Sequence, residues 1–162
     1  MKRALFPGSF DPITEGHMEI ILRGRSLFDE IVVAIGLNSQ KKYFFSLEER
    51  MEMLRVCFED EPQILVASYK GLTVDYVREI DAGFMLRGLR SGQDLIYEQP
   101  IELVNKHMHP GLEVVHLLSS PRTAHISSTI VREVIKYGGE IDGLIPPPAV
   151  RYIKALKYGE GQ

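Results

Sequence analysis

Short apolar runs alternate along this chain with longer stretches whose apolar residues recur at helical spacing. Ala4–Phe6, Glu30–Ile35, Ile64–Ala67, Phe84–Leu86 and Val114–Leu118 read as strands. Several are apolar at successive positions, the pattern of parallel strands covered by helices on both faces. Between them, Gly16–Phe28 carries Met18, Ile21, Leu22 and Phe28 at helical spacing. Ser46–Phe58 opens with Ser46 and Glu49, the spacing of a capping box. Leu72–Ile80, Leu95–His107, Ser127–Tyr137 and Ala149–Lys157 complete the expected helices. The alternation predicts an α/β protein: a single domain over residues 1–162, with one doubly wound, mainly five-stranded parallel sheet. Such sheets bind ligands at the carboxyl ends of their strands, near the switch point of the strand order. Functional residues are therefore expected just after strands. The run Pro146-Pro147-Pro148 reads as a stiff turn before the last helix.

Composition narrows the class. The chain has 162 residues, 44% hydrophobic and 25% charged, as expected of a protein with an ordinary core. Its net charge of −3 gives no hint of the basic face that nucleic-acid binding usually needs. A small anionic substrate remains possible, because it responds to a few local cations. A single cysteine, Cys57, excludes an intrachain disulfide and a multi-cysteine zinc site. It sits beside the stripe of Leu47, Met51, Leu54 and Phe58 and reads as a packing residue. No signal-like segment and no run of about 18 apolar residues is present. The expectation is a cytoplasmic protein without a membrane partner.

The first strand runs into PGSFDPITEGH. Thr14 is placed to cap a helix whose first turn holds Gly16 and His17. A helix start offers unpaired N–H groups and about half a positive charge, so it attracts phosphate. Gly16 leaves room for close approach, and His17 adds a donor. The fingerprints GxxxxGK[ST] and GxGxxG are both absent.

Three further stretches follow strands. Asn38-Ser39-Gln40-Lys41-Lys42 follows the second; it reads either as a solvated loop or as a cation at the ligand edge. Arg87-Gly88-Leu89-Arg90-Ser91-Gly92 follows the fourth, with two planar forks suited to phosphate oxygens. Asp94 and Glu98 come next and could pair with those arginines. Ile126-Ser127-Ser128-Thr129 follows the fifth and offers hydroxyls at a helix start, as caps or as a second anion site. A metal site on His107-x-His109 is disfavoured, because that spacing does not share a helical face.

Thr14-x-Gly16-His17 in this context resembles the (T/H)xGH motif of the nucleotidyltransferase superfamily, which has a Rossmann-like fold. PGSFDPITEGH, the Lys41-Lys42 loop with FSLEER, RGLR with Asp94 and Tyr97-Glu98, and ISST with Val131 and Glu133-Val134 together resemble bacterial phosphopantetheine adenylyltransferases. The resemblance covers nearly the whole chain, and RGLR with D-x-x-Y-E is its most specific part. It implies transfer of the adenylyl group of ATP to 4′-phosphopantetheine, giving dephospho-coenzyme A and pyrophosphate in coenzyme A biosynthesis. It implies His17 as transition-state stabiliser, acting with Lys41 and Arg90. Ser9, Lys41, Thr73 and Arg87 fall where the family binds phosphopantetheine. Ser9, Phe10, His17, Gly88, Leu89, Arg90, Glu98, Thr123, Ala124, His125, Ile126, Ser127, Ser128 and Thr129 fall where it binds ATP. A Mg²⁺ ion accompanying ATP, without protein side-chain ligands, and a homohexamer are implied in the same way. Ser9 replaces a common threonine, and Thr123 and His125 stand where bulkier aromatics often occur. Pro100 is expected to kink the following helix or to start it near Gln99. A nicotinamide mononucleotide adenylyltransferase is the nearest alternative, since it shares ISST with Val131-Arg132.

Overall fold

The computed structural model describes residues 1–159. Five strands form one parallel sheet: β1 (Arg3–Gly8), β2 (Glu30–Leu37), β3 (Ile64–Lys70), β4 (Phe84–Leu89) and β5 (Glu113–Leu118). The order across the sheet is β3-β2-β1-β4-β5. Six helices follow: α1 (Glu15–Gly24), α2 (Leu47–Phe58), α3 (Thr73–Glu79), α4 (Gly92–Met108), α5 (Ser128–Lys136) and α6 (Pro147–Gly159).

The runs of successive apolar residues have the predicted physical cause. Along β2, Ile31, Val33 and Ile35 enter one core cluster, and Val32 and Ala34 enter the other. β1 divides in the same way, with Ala4 and Phe6 on one face and Leu5 on the opposite face. The larger cluster takes in α1, α2, α5 and α6, and the smaller one packs α3 against the sheet. Residues alternate between the two sides of a strand, so a strand covered on both must be apolar throughout.

The chain winds outward from β1 through β2 to β3, then returns to place β4 on the other side of β1. The switch point lies between β1 and β4, and the loops after those two strands diverge there. That divergence opens the crevice in which such sheets bind ligands.

Three boundary expectations are corrected. α1 ends at Gly24, where turns bonded to the Gly24 carbonyl carry the chain to Phe28. α6 begins at Pro147, so the proline run enters the helix; proline is tolerated there because first-turn N–H groups have no intrahelical partner. α4 begins at Gly92 and runs through Pro100 without restarting at Gln99. Its middle is open to water, with Ile96 exposed, so the carbonyl that Pro100 leaves unpaired need not be buried.

Candidate active site

A cleft of about 440 Å³ opens at the carboxyl edge of β1 and β4. Its lining includes Ser9, Phe10, Gly16, His17, Lys41, Arg87, Gly88, Arg90, Glu98, Ile126, Ser127, Ser128 and Thr129 from the sequence expectation. A second cavity of about 300 Å³ shares Pro7, Gly8, Ser9, Arg87, Tyr97 and Glu98 with the first. Thr73 lines this second cavity. Leu89, Thr123, Ala124 and His125 line neither. Leu89 and Thr123 are buried, and His125 is exposed.

The floor is built by the start of α1. Thr14 caps that helix, and the third helical residue, His17, reciprocates. The Thr14 backbone N–H donates to His17 Nδ1 at 3.0 Å, and the His17 N–H donates to Thr14 Oγ1 at 3.3 Å. Accepting at Nδ1 leaves the ring proton on Nε2. Phe10 packs its edge against the imidazole, with ring centroids 5.1 Å apart. Phe10 is itself buried, with φ at 46°, a left-handed conformation that costs a phenylalanine on the order of 1–3 kcal/mol. Burial and then the neighbouring Arg87 and Arg90 charges push His17 down to about 4, so the ring is neutral at physiological pH. Gly16 contacts nothing that a methyl group would clash with; the nearest atom to an added Cβ, Thr14 Oγ1, would lie at 3.5 Å. The fold therefore does not demand glycine here, and close approach of a ligand is the remaining reason for it.

Arg87 lies within β4, which continues to Leu89 instead of ending at Leu86 as expected, and it lines the crevice near the strand's carboxyl end. Its guanidinium donates to both oxygens of Glu98, at 2.9 and 2.5 Å, and to the Pro7 carbonyl at 2.8 Å. Asp94 accepts from the Arg90 backbone N–H at 2.8 Å and lies 3.4 Å from Arg90 Nε. Both carboxylates therefore pair with the arginines of RGLR. Glu98, assigned by resemblance to the ATP side, faces both cavities through its pair with Arg87.

The three hydroxyls of the ISST turn divide the work. Ser127 accepts from the Ile130 N–H at 3.2 Å and is the cap of α5. Ser128 donates to the Pro12 carbonyl at 2.8 Å, tying α5 to the loop after β1. Thr129 accepts from Arg132 at 3.1 Å. Thr123 turns inward and donates to Glu19, which also accepts from the Ser120 N–H and hydroxyl. Its side chain anchors the loop to α1 and leaves no group facing the cleft.

Sequence reasoning named Arg132 only as a feature shared with the alternative family and gave it no site role, yet it lines the cleft and donates to the Asp11 carbonyl at 2.9 Å. Its signal was the spacing: Arg132 lies four residues after Ser128, hence on the same face of α5. The lining thus holds four cationic side chains, Lys41, Arg87, Arg90 and Arg132, against two carboxylates. Two helix starts face the same space. Among the described residues, no group of three or more His, Cys, Asp or Glu side chains is placed to hold a metal ion.

A crevice at the switch point, lined by cations and helix starts, defines the class as a nucleotide-handling α/β protein. The family profile described as cytidylyltransferase-like matches residues 5–134. Curated relatives narrow this further. The chain is 53% identical to the phosphopantetheine adenylyltransferase of Christiangramia forsetii, over 90% of this chain and 96% of that one. It is 51% identical to the one of Flavobacterium johnsoniae, over 95% and 100%. It is 44% identical to the one of Desulforudis audaxviator, over 98% and 97%. The chain belongs to the phosphopantetheine adenylyltransferase family, within the cytidylyltransferase-like nucleotidyltransferases.

Proposed function

We propose that this enzyme transfers the adenylyl group of ATP to 4′-phosphopantetheine, forming dephospho-coenzyme A and releasing pyrophosphate, a step of coenzyme A biosynthesis. The observation that carries this reading is the pair of joined cavities, with Arg87 and Ser9 on their common wall. One suits a triphosphate beside His17 and the ISST turn. The other suits an acceptor whose phosphate meets Arg87.

An oxygen of the acceptor phosphate attacks the α-phosphorus of ATP. The bond from that phosphorus to the bridging oxygen breaks, and pyrophosphate leaves with the electron pair. The nucleophile is already an anion, so the chain needs no nucleophile of its own. Its contribution is in-line positioning and charge stabilisation. His17 donates from Nε2 to the α-phosphate, helped by the start of α1. Lys41 and Arg87 hold the acceptor phosphate. Arg90, Arg132 and the Ser127–Thr129 turn hold the β- and γ-phosphates.

A Mg²⁺ ion accompanying ATP would be held by the nucleotide and not by protein side chains, because Asp94 and Glu98 pair with Arg90 and Arg87. When bound, it offsets phosphate charge. The proposed setting is the cytoplasm, and the proposed assembly a homohexamer. The assembly is supported by α4, which has no buried residue yet carries Ile96, Leu103 and Val104 exposed.

The test is pyrophosphate release from ATP with 4′-phosphopantetheine, against release with nicotinamide mononucleotide. Turnover with the first alone is expected. Turnover with the second alone would replace this reading by the alternative named above.

A further inference from the structure

Two charged residues are buried where the mechanism gives them nothing to do. Asp11 is 4% exposed and Arg50 is 2% exposed. Burying a charge is costly unless its hydrogen bonds are met. Neither takes part in any ion pair found among the described residues. Their partners are backbone groups and one aromatic ring, and these contacts span the same gap.

Asp11 lies in the loop after β1. Its carboxylate accepts from the backbone N–H groups of Phe44 and Phe45, at 2.8 and 2.9 Å. Arg50 lies in the first turn of α2. It donates to the Ser9 carbonyl at 2.9 Å and to the Ser46 carbonyl at 3.3 Å. Its guanidinium carbon sits 3.9 Å from the centre of the Tyr43 ring. Lys41 Nζ lies 5.6 Å from that ring and 3.5 Å from Ser9 Oγ. Tyr43 thus contacts both cations. At the tip of the loop, the backbone N–H groups of Gln40 and Lys41 donate to Asn38.

We infer that Asp11 and Arg50 are positioning residues that brace the Lys41 loop against Ser9–Asp11 and so fix the lysine that meets the acceptor phosphate. This rests on the function proposed above for Lys41. A carboxylate is needed because it offers two acceptors to two N–H groups; an asparagine turns an NH₂ toward one of them. Misplacement of a binding group by about 1 Å can cost about 10²-fold in rate.

A double-mutant cycle tests the brace. Asp11→Asn should raise the KM for 4′-phosphopantetheine about tenfold, with the KM for ATP changed less than about twofold. In a Lys41→Ala background the same substitution should change acceptor kinetics less than about twofold, since no ammonium is left to position. Arg50→Lys should show the same acceptor-selective pattern, and it serves alone if Asp11→Asn does not fold. Multiplicative effects in the cycle, or equal loss of both substrates, would overturn the inference. Hydrogen exchange at the Phe44 and Phe45 amides needs no substrate and should speed up in Asp11→Asn. Unchanged exchange refutes the brace, whereas an inactive wild type with intact protection refutes the proposed reaction instead.

Discussion

His17 meets three constraints at one position. Its backbone belongs to the first turn of α1, its Nδ1 accepts from Thr14, and its ring lies against Phe10. The result is a neutral donor aimed at the cleft, with a pKa lowered to about 4 by burial and then by Arg87 and Arg90. Removing one such donor typically costs about 10²–10³ in kcat. His17→Ala should lose at least that much in single-turnover adenylyl transfer, with the Kd for ATP changed far less. The same residue makes stability depend on pH. Its folded value lies below the ordinary 6.5, so the unfolded chain binds the proton first as pH falls. Stability from this group is intact above pH 6.5 and declines toward pH 4. Urea titrations should therefore show the wild type losing stability relative to His17→Asn across that window. A constant difference would show that the ring is not held neutral. Cys57 is the opposite kind of residue: buried, with its thiol pushed up to about 12 by burial, it packs in the core as its sequence context suggested.

At the scale of elements, α1 must lie close to the sheet for His17 to reach the crevice. Gly24 permits this. A Cβ there would come within 2.6 Å of Leu86 Cδ2 and 2.9 Å of Ile31 Cδ1. Gly24→Ala would normally favour a helix, yet here the added methyl overlaps the buried Leu86 and Ile31 side chains, so they or α1 must shift. The expected outcome is a loss of about 1–3 kcal/mol in urea unfolding. A stabilised variant would mean that the helix shifts freely. Element positions were legible because the signals are local. Ser46 with Glu49 and Thr14 before Gly16 both cap as their spacing implied. Ends were less legible, since α1 stops and α4 starts according to packing and exposure that spacing does not encode.

For the molecule as a whole, α4 is the unbalanced element. Seventeen residues long, it buries none of them, and Leu103 and Ile96 are each 65% exposed. Exposed apolar surface of this kind marks an interaction site. The proposed hexamer would cover it with further copies of the chain. Sedimentation should give a mass several times 18.4 kDa, and Leu103→Glu with Ile96→Glu should lower it. A wild type that sediments as a monomer would remove the hexamer from the proposal.

Apolar runs on both faces of each inner strand and the capped, phosphate-attracting helix starts follow from neighbours within a few residues, so the amino-acid order alone determined them. The same is true of the placing of Lys41 and Ser127 after strands, whereas Arg87, expected just past the fourth strand, lies inside β4 near its carboxyl end. The strand order β3-β2-β1-β4-β5, which seats the loops after β2 and β4 on either side of β1, was decided only by the tertiary structure. The same holds for the pairing of Arg87 with Glu98, the inward turn of Thr123 onto Glu19, and the brace of Asp11 on Phe44 and Phe45. These contacts join positions 11 to 104 residues apart. Their energy depends on which distant groups the packed sheet brings within hydrogen-bond reach, and no local periodicity records that.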